Sequence, residues 1–320
     1  MSFYAGIDLG GTKIAAGIFD TESGRLIAHD VIPTHSHEGI NAVIRRMVGI
    51  VQTLTDTTQV RLERIGLGVP AVIDYERGMT LLMPNLAGDW FERPLVAEMQ
   101  AALNLPVALI NDARAFTLAE ATQGAGRGGT VVACFTIGTG IGGGIAINGR
   151  LHLGLKNAAG EFGHQTVEPN GAVCGCGNRG CLETLASGYA ISAQGVEAMK
   201  REQNGQIALL TQHDPNRVTP GVIMQAAERG DSTARDILTR AAQYIGVGIA
   251  NILTILSADK VVLGGGVSQL GHWLFDPIWA TVRERCHTIP LDQVTITQAA
   301  LGQHAGIIGA SLWASQQGTY

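Results

Sequence analysis

Apolar residues in the first 33 positions fall into three short runs broken by turns. "FYAGIDLGG" and "TKIAAGIFD" predict two strands about a tight glycine turn, and Ser23-Gly24 predicts a further turn into "RLIAHDVIP". Short apolar runs of this kind, bounded by glycine, read as an antiparallel meander. Helical spacing covers 38–55. "RIGLGVPA" and "PVALIND" then predict short buried strands, the second running into a helical "ARAFTLAEA". After this the opening pattern returns. "TVVACFTI", "GTGIGGG", "IAING" and "RLHLG" spell strand, glycine turn, strand, Asn-Gly turn, strand. Two similar meanders, one near residue 8 and one near residue 137, predict duplicated α/β halves facing each other across a cleft, a preferred place for ligands. "DKVVLGGG" reads as a later strand ending in glycines with helix after it. The terminal "AGIIGASLWA" reads as a helix returning to the first domain.

One uncharged segment, "AAQYIGVGIANILTILSA" (241–258), is long enough to cross a membrane. Its Gln243, Asn251 and central glycines, and the strand-like sequence after it, favour a buried core helix. The N-terminal "MSFYAGIDLGG" has neither a basic region nor an apolar core of the secretory kind. A soluble, cytoplasmic protein without membrane partners is expected. A net charge of −5 with no basic block argues against a dedicated nucleic-acid surface. The 320 residues suffice for two domains of ordinary size, and 43 glycines imply many tight turns and close backbone approaches.

"GTGIGG" (138–143) satisfies the dinucleotide fingerprint, but strand sequence follows where a helix would have to open. Without that helix N-terminus the usual pyrophosphate site is missing. What remain are two glycine-rich hairpin turns whose backbone N–H groups can form anion-binding nests. In "DLGGTK" the nest comprises Gly10 and Gly11, with Thr12 as hydroxyl donor and Lys13 as cation; Asp8 could face a metal-bound phosphate through water. A single such turn is most simply a solvated hairpin. Two at equivalent positions, the second at Gly138-Thr139, point to phosphate. A third glycine loop at Gly264-Gly265 could lie against a flat base, or be only a strand-to-helix turn.

The chain has five cysteines, and three stand within residues 174–181. With His164 they form H-x9-C-x-C-x4-C, a donor set suited to a tetrahedral structural Zn²⁺. Three cysteines among glycines make a poor apolar core, whereas Cys134 and Cys286 lie in apolar settings and read as core thiols. Folding about a metal would fix Glu161 and Glu183 relative to one another; otherwise either reads as a solvated charge. Asp112, at a strand-to-helix junction, reads from its position alone as a helix N-cap. Asn85 and Asn111 read as turn residues.

"GIDLGGTKIAAGIFD", "INDARAFTLAEA", "IGTGIGGGIAINGRL", "GEFGH", "CGCGNRGCLE" and "VVLGGG" stand in the order seen in the ROK sugar kinases, and the resemblance runs from residue 4 to about 313. It implies a two-domain actin-like ATPase (ribonuclease H-like) α/β fold with a cleft between domains. The smaller N-terminal domain is expected over 1–112 plus 303–320, and a larger one, carrying the cysteine loop, over 113–302. The resemblance further implies an ATP-dependent hexose kinase acting on the 6-hydroxyl of glucose, with a kinase for N-acetylglucosamine, N-acetylmannosamine or another hexose as the alternative. A sugar-responsive regulator is the remoter reading, since DNA-binding members carry an N-terminal winged helix for which the hairpin at residue 8 leaves no room.

Asp112 falls on the family's catalytic aspartate, reversing the reading from position alone. Asn85, Asn111, Glu161, His164 and Glu183 fall on sugar-contacting positions. His164, Cys174, Cys176 and Cys181 fall on the zinc ligands. Asp8, Gly10, Gly11, Thr12, Lys13, Gly138 and Thr139 are expected near the ATP phosphates and their Mg²⁺, with Gly264 and Gly265 beside the adenosine. A homodimer is expected. The chain departs from the family at "VPAVID", where Ala71 replaces a usual glycine, and in lacking a proline in "ILSADKVV". If position 71 needs positive φ, alanine would be strained there.

Overall fold

A computed structural model describes residues 2–84 and 86–317. The chain divides into two compact units: residues 1–128, 149–158 and 300–320 form the first, and 129–148 with 159–299 the second. A break expected between 112 and 113 therefore lies inside the first unit. The reason is packing, because the helix that begins at Asp112 is buried against the C-terminal helix of that same unit.

In the first unit β1 (Phe3–Leu9), β2 (Lys13–Asp20), β3 (Arg25–Pro33), β4 (Leu62–Val69) and β7 (Val107–Asn111) form a sheet ordered β3-β2-β1-β4-β7. The first three strands are the antiparallel meander; β4 and β7 add in parallel. Parallel strands need crossovers, supplied by α1 (Ile40–Thr58) and by α2 (Leu95–Leu103) after a small hairpin of β5 (Val72–Asp74) and β6 (Met79–Leu82). α1 buries Val43, Met47, Ile50, Val51 and Leu54, a stripe at helical spacing. Each such buried side chain contributes about 1.5–3 kcal/mol.

On the unit's other side lie α3 (Asp112–Thr122) and α10 (Ala305–Gln316), with the short β10 (Arg150–Leu151) beside α3. α10 approaches unusually closely because glycines face it. A Cβ on Gly6 would stand 2.0 Å from the Ile307 carbonyl oxygen, and one on Gly66 1.8 Å from that of Ala310. Gly309 of α10 is itself pressed to within 1.8 Å, on the same measure, of the Ala115 carbonyl in α3. The expected return of "AGIIGASLWA" to the first domain is therefore observed.

The second unit repeats the plan. β8 (Val131–Ile137) and β9 (Ile141–Ile147) are antiparallel; β11 (Lys260–Gly264) and β12 (Thr295–Gln298) add in parallel, in the order β9-β8-β11-β12. The helices α4 (Leu182–Ala186), α5 (Gly188–Arg201), α6 (Gln206–Thr211), α7 (Pro220–Glu228), α8 (Ser232–Leu256) and α9 (His272–Arg285) complete it. α8 contains residues 241–256 of the apolar segment and ends before its last two. Its Ala241, Ile245, Ile249 and Leu253 are buried against the rest of the unit, with Gly246 allowing α9 to approach. Among the described residues no helix is long and apolar enough to cross a membrane. Cys134 and Cys286 are buried core thiols, as expected.

Candidate active site

The first unit presents two carboxylates and a hairpin. Asp8 is the penultimate residue of β1, and the turn Gly10–Thr12 follows. The turn is closed by the Gly10 N–H donating to the Lys13 carbonyl (2.9 Å). Thr34 then satisfies its outer carbonyls: its Oγ1 donates to Gly10 O (2.7 Å) and its N–H to Thr12 O (3.0 Å). No protein acceptor is seen among the described residues for the N–H groups of Gly11 and Thr12, while Thr12 and Lys13 are exposed. N–H groups without a protein acceptor, a hydroxyl and an ammonium at one turn are donors of the kind an anion can use. The first turn of α10 passes against Asp8, since a Cβ at Gly306 would lie 2.3 Å from Asp8 Oδ2.

Asp112 opens α3, but the cap is Asn111. Asn111 Oδ1 accepts the N–H groups of Ala113 (3.1 Å) and Arg114 (3.3 Å), and the Arg114 guanidinium donates to it as well (2.9 Å). The amide nitrogen of Asn111 donates to the Ala71 carbonyl (3.3 Å), and its backbone N–H to the Tyr75 hydroxyl (3.2 Å). Asp112 is thus freed from the capping duty its position suggested. Its Oδ1 accepts the Ala113 N–H at 2.8 Å. Burial first, and then the like charge of Asp8, push its carboxyl up to about 6; the Ala113 N–H and the Arg114 guanidinium work the other way. Burial likewise raises Asp8, opposed by Lys13. A carboxylate raised by burial and by a neighbouring carboxylate is what a proton-accepting site requires. Ala71 is buried and has no positive φ, so alanine there carries no backbone strain. Asn85 lies outside the described residues.

The second unit holds the other hairpin and the cysteine loop. Gly138-Thr139-Gly140 joins β8 to β9, with the Gly138 N–H donating to Gly140 O (2.9 Å) and Thr139 exposed. The N-terminus of α5, capped by Ser187, abuts this turn: the Gly188 N–H donates to Gly138 O at 2.7 Å. Beside them is a cavity of 420 Å³ whose walls include Thr139, Tyr189, Ser192, Pro220, Gly266 and Val267. Gly265 turns the chain at φ 83°, where any side chain would be strained, and its Cβ would strike the Ile137 carbonyl oxygen. Gly264 and Gly265 thus form the bend, while Gly266 and Val267 line the space.

His164, Cys174, Cys176 and Cys181 converge, with one donor atom from each within 4.8 Å of all the others. Cys174 Sγ is 3.6 Å from His164 Nδ1, and Cys176 Sγ is 3.7 Å from Cys181 Sγ. Tetrahedral Zn–S bonds of about 2.3 Å separate sulfurs by about 3.8 Å, so the donor set fits Zn²⁺. Without a metal the Cys181 thiol resists ionisation: burial first, and the neighbouring thiols after it, push it up to about 12. A bound divalent cation would offset that cost.

Glu183, two residues past the cluster, takes up both groups. Its Oε2 accepts the Ile141 N–H (2.9 Å), and its Oε1 lies 3.9 Å from Cys174 Sγ. Glu161 is exposed at the start of the turn holding His164. Residue patterns alone missed Tyr75, Arg114 and the Ser187–Tyr189 helix start.

Residues 4–317 match the model of the ROK family. The chain is 35% identical to a glucokinase of Halalkalibacterium halodurans, covering 98% of this chain and 96% of that one. It is 31% identical to an N-acetylmannosamine kinase of Yersinia pseudotuberculosis, covering 96% and 97%. Among solved structures it resembles a ROK family glucokinase from Streptomyces griseus in complex with glucose and AMPPNP, at TM-score 0.83, 33% identity and coverage of 98% and 100%.

Proposed function

The chain belongs to the ROK family, whose kinases have the two-domain actin-like ATPase fold, and from that premise we propose that it is an ATP-dependent hexose kinase. It transfers the γ-phosphoryl group to the 6-hydroxyl of glucose. Asp112 carries the reading, as a carboxylate lifted to about 6 that opens a helix beside a second carboxylate and a phosphate-type hairpin.

Asp112 accepts the sugar hydroxyl proton as the oxygen closes on phosphorus. A base titrating near 6 is ionised at neutral pH yet keeps some affinity for the proton. Asn111 takes over the helix cap, so that Asp112 Oδ2 remains for the substrate. Phosphoryl transfer rests mostly on positioning and charge stabilisation. The N–H groups at Gly11 and Thr12, with Lys13, and the second hairpin at Gly138-Thr139 are the donors for the phosphates. Mg²⁺, when bound, neutralises phosphate charge, and Asp8 is the carboxylate suited to hold its water shell. Tyr189, Gly266 and Val267 line the space suited to adenosine.

His164, Cys174, Cys176 and Cys181 would hold Zn²⁺ as a structural ion, keeping Glu161 and Glu183 in register. Glu161, His164 and Asn111, whose amide retains one free hydrogen, are the sugar-side candidates, and Asn85 is carried by the family resemblance alone. The proposal includes a cytoplasmic homodimer, which light scattering and cell fractionation would test.

N-acetylmannosamine is the second reading, favoured by the 31% identity to the Yersinia enzyme. Sugar-dependent ADP release across glucose, mannose, fructose, N-acetylglucosamine and N-acetylmannosamine decides between them. Release with none of these sugars refutes the hexose kinase reading. In the same assay Asp112→Ala should lower kcat at least about a hundredfold.

A further inference from the structure

The turn after β3 carries a cluster that phosphoryl transfer leaves unused. His35, His37 and Glu38 are all exposed, and one donor atom from each lies within 4.8 Å of the other two. The imidazoles meet edge to face, with ring centroids 5.7 Å apart and planes at 85°. The one-turn 3-10 helix Ser36–Glu38 brings this about by folding positions 35, 37 and 38 onto one side. His35 precedes it in the left-handed region, at φ 46° and ψ 50°, a conformation uncommon outside glycine and asparagine. Its side chain makes no capping hydrogen bond to the turn.

Glu38 is paired with the Arg46 guanidinium. Arg46 engages Oε2, and Oε1 is outside that contact. The loop is not loose. Arg46 also donates to the Thr34 carbonyl (3.3 Å), and Thr34 is bonded to both Gly10 and Thr12 of the first hairpin. The three donors are therefore anchored to the same turn as the phosphate candidates.

We propose that His35, His37 and Glu38 bind a divalent transition-metal ion, with Zn²⁺ the expected occupant, at a site separate from the cysteine cluster. Two imidazoles and one carboxylate suit Zn²⁺, Ni²⁺ or Cu²⁺, whereas Mg²⁺ and Ca²⁺ prefer oxygen ligands throughout. Bonds of about 2.1 Å in a tetrahedron place donors about 3.4 Å apart. The side chains thus need to close by little more than an ångström, which exposed rotamers allow. Three protein ligands leave the fourth position to water, so the ion is exchangeable, unlike one sealed among thiolates. This site does not depend on the reaction assigned above.

The test is zinc stoichiometry by equilibrium dialysis and elemental analysis, on the full chain at neutral pH. The wild type should bind one ion more than His37→Ala, and Glu38→Ala should match His37→Ala. Both residues lie outside the core and at ordinary φ, so neither change threatens folding. Cys176→Ser should retain the exchangeable ion. Equal stoichiometry in wild type and His37→Ala overturns the proposal, whether the cysteine cluster is full or empty.

Discussion

Glu183 accepts the backbone N–H of Ile141 at 2.9 Å, the first residue after the second glycine hairpin. Because Glu183 also follows the last cysteine of the metal-type cluster, one carboxylate ties that loop to a phosphate-type turn. The fit is close: a Cβ on Gly140 would stand 2.2 Å from Glu183 Oε2. Losing a charged acceptor costs about 1.5–3 kcal/mol. Glu183→Ala should therefore raise KM for ATP roughly ten- to hundredfold, and Gly140→Ala should move it in the same direction. Initial-rate kinetics at saturating sugar measures both.

Asp112 sets a pH dependence of definite sign. Its carboxyl rises from 3.8 to about 6 on folding. The ionised form is therefore disfavoured by the fold. The resulting loss of stability is complete above pH 6 and absent below pH 4, and amounts to about 3 kcal/mol. Asp112→Asn should be inactive yet more stable than wild type at pH 7.5, with the advantage gone at pH 4. Urea denaturation at the two pH values is the check. In the wild type kcat/KM should fall as pH drops through about 6, where the base becomes protonated.

Cys176 is the exposed member of its cluster. Cys176→Ser should lose the ion that otherwise survives exhaustive dialysis, and should lower the melting temperature. Elemental analysis with calorimetry reads both, and unchanged metal content in the variant would contradict the assigned ligand set.

The glycines under α10 make a prediction about the fold. Gly66→Ala forces a Cβ to 1.8 Å from the Ala310 carbonyl oxygen and should cost about 3 kcal/mol or more. Gly49→Ala serves as control. It lies within α1, with nothing inside 4 Å of its would-be Cβ, and should stabilise by about 0.5–1 kcal/mol. Urea midpoints distinguish the two.

Both meanders and the cysteine cluster were legible because their signals are local: alternating runs closed by glycine, and ligand spacing within eighteen residues (164–181). What stayed hidden depends on contacts distant in sequence or on choices between near equals. Asn111 and Asp112 are equally good caps by type, and only backbone direction assigns the duty to Asn111. Nothing local marks Arg114, yet it is buried and bonded to Asn111. The start of α5 meets Gly138 across fifty residues of chain. Alanine at position 71 would be strained only if that position needed positive φ, and its backbone has ordinary φ.

The placement of α10 bears on how the polypeptide matures on the ribosome. Every residue of the second unit precedes position 300, whereas the first lacks a wall until 305–316 have emerged. The second unit can thus finish its core while β1, which precedes it in the chain, still waits for its cover. Until then the strip containing Gly6 and Gly66 lacks its cover, and a nascent chain stalled before residue 305 exposes the surface that α10 later buries.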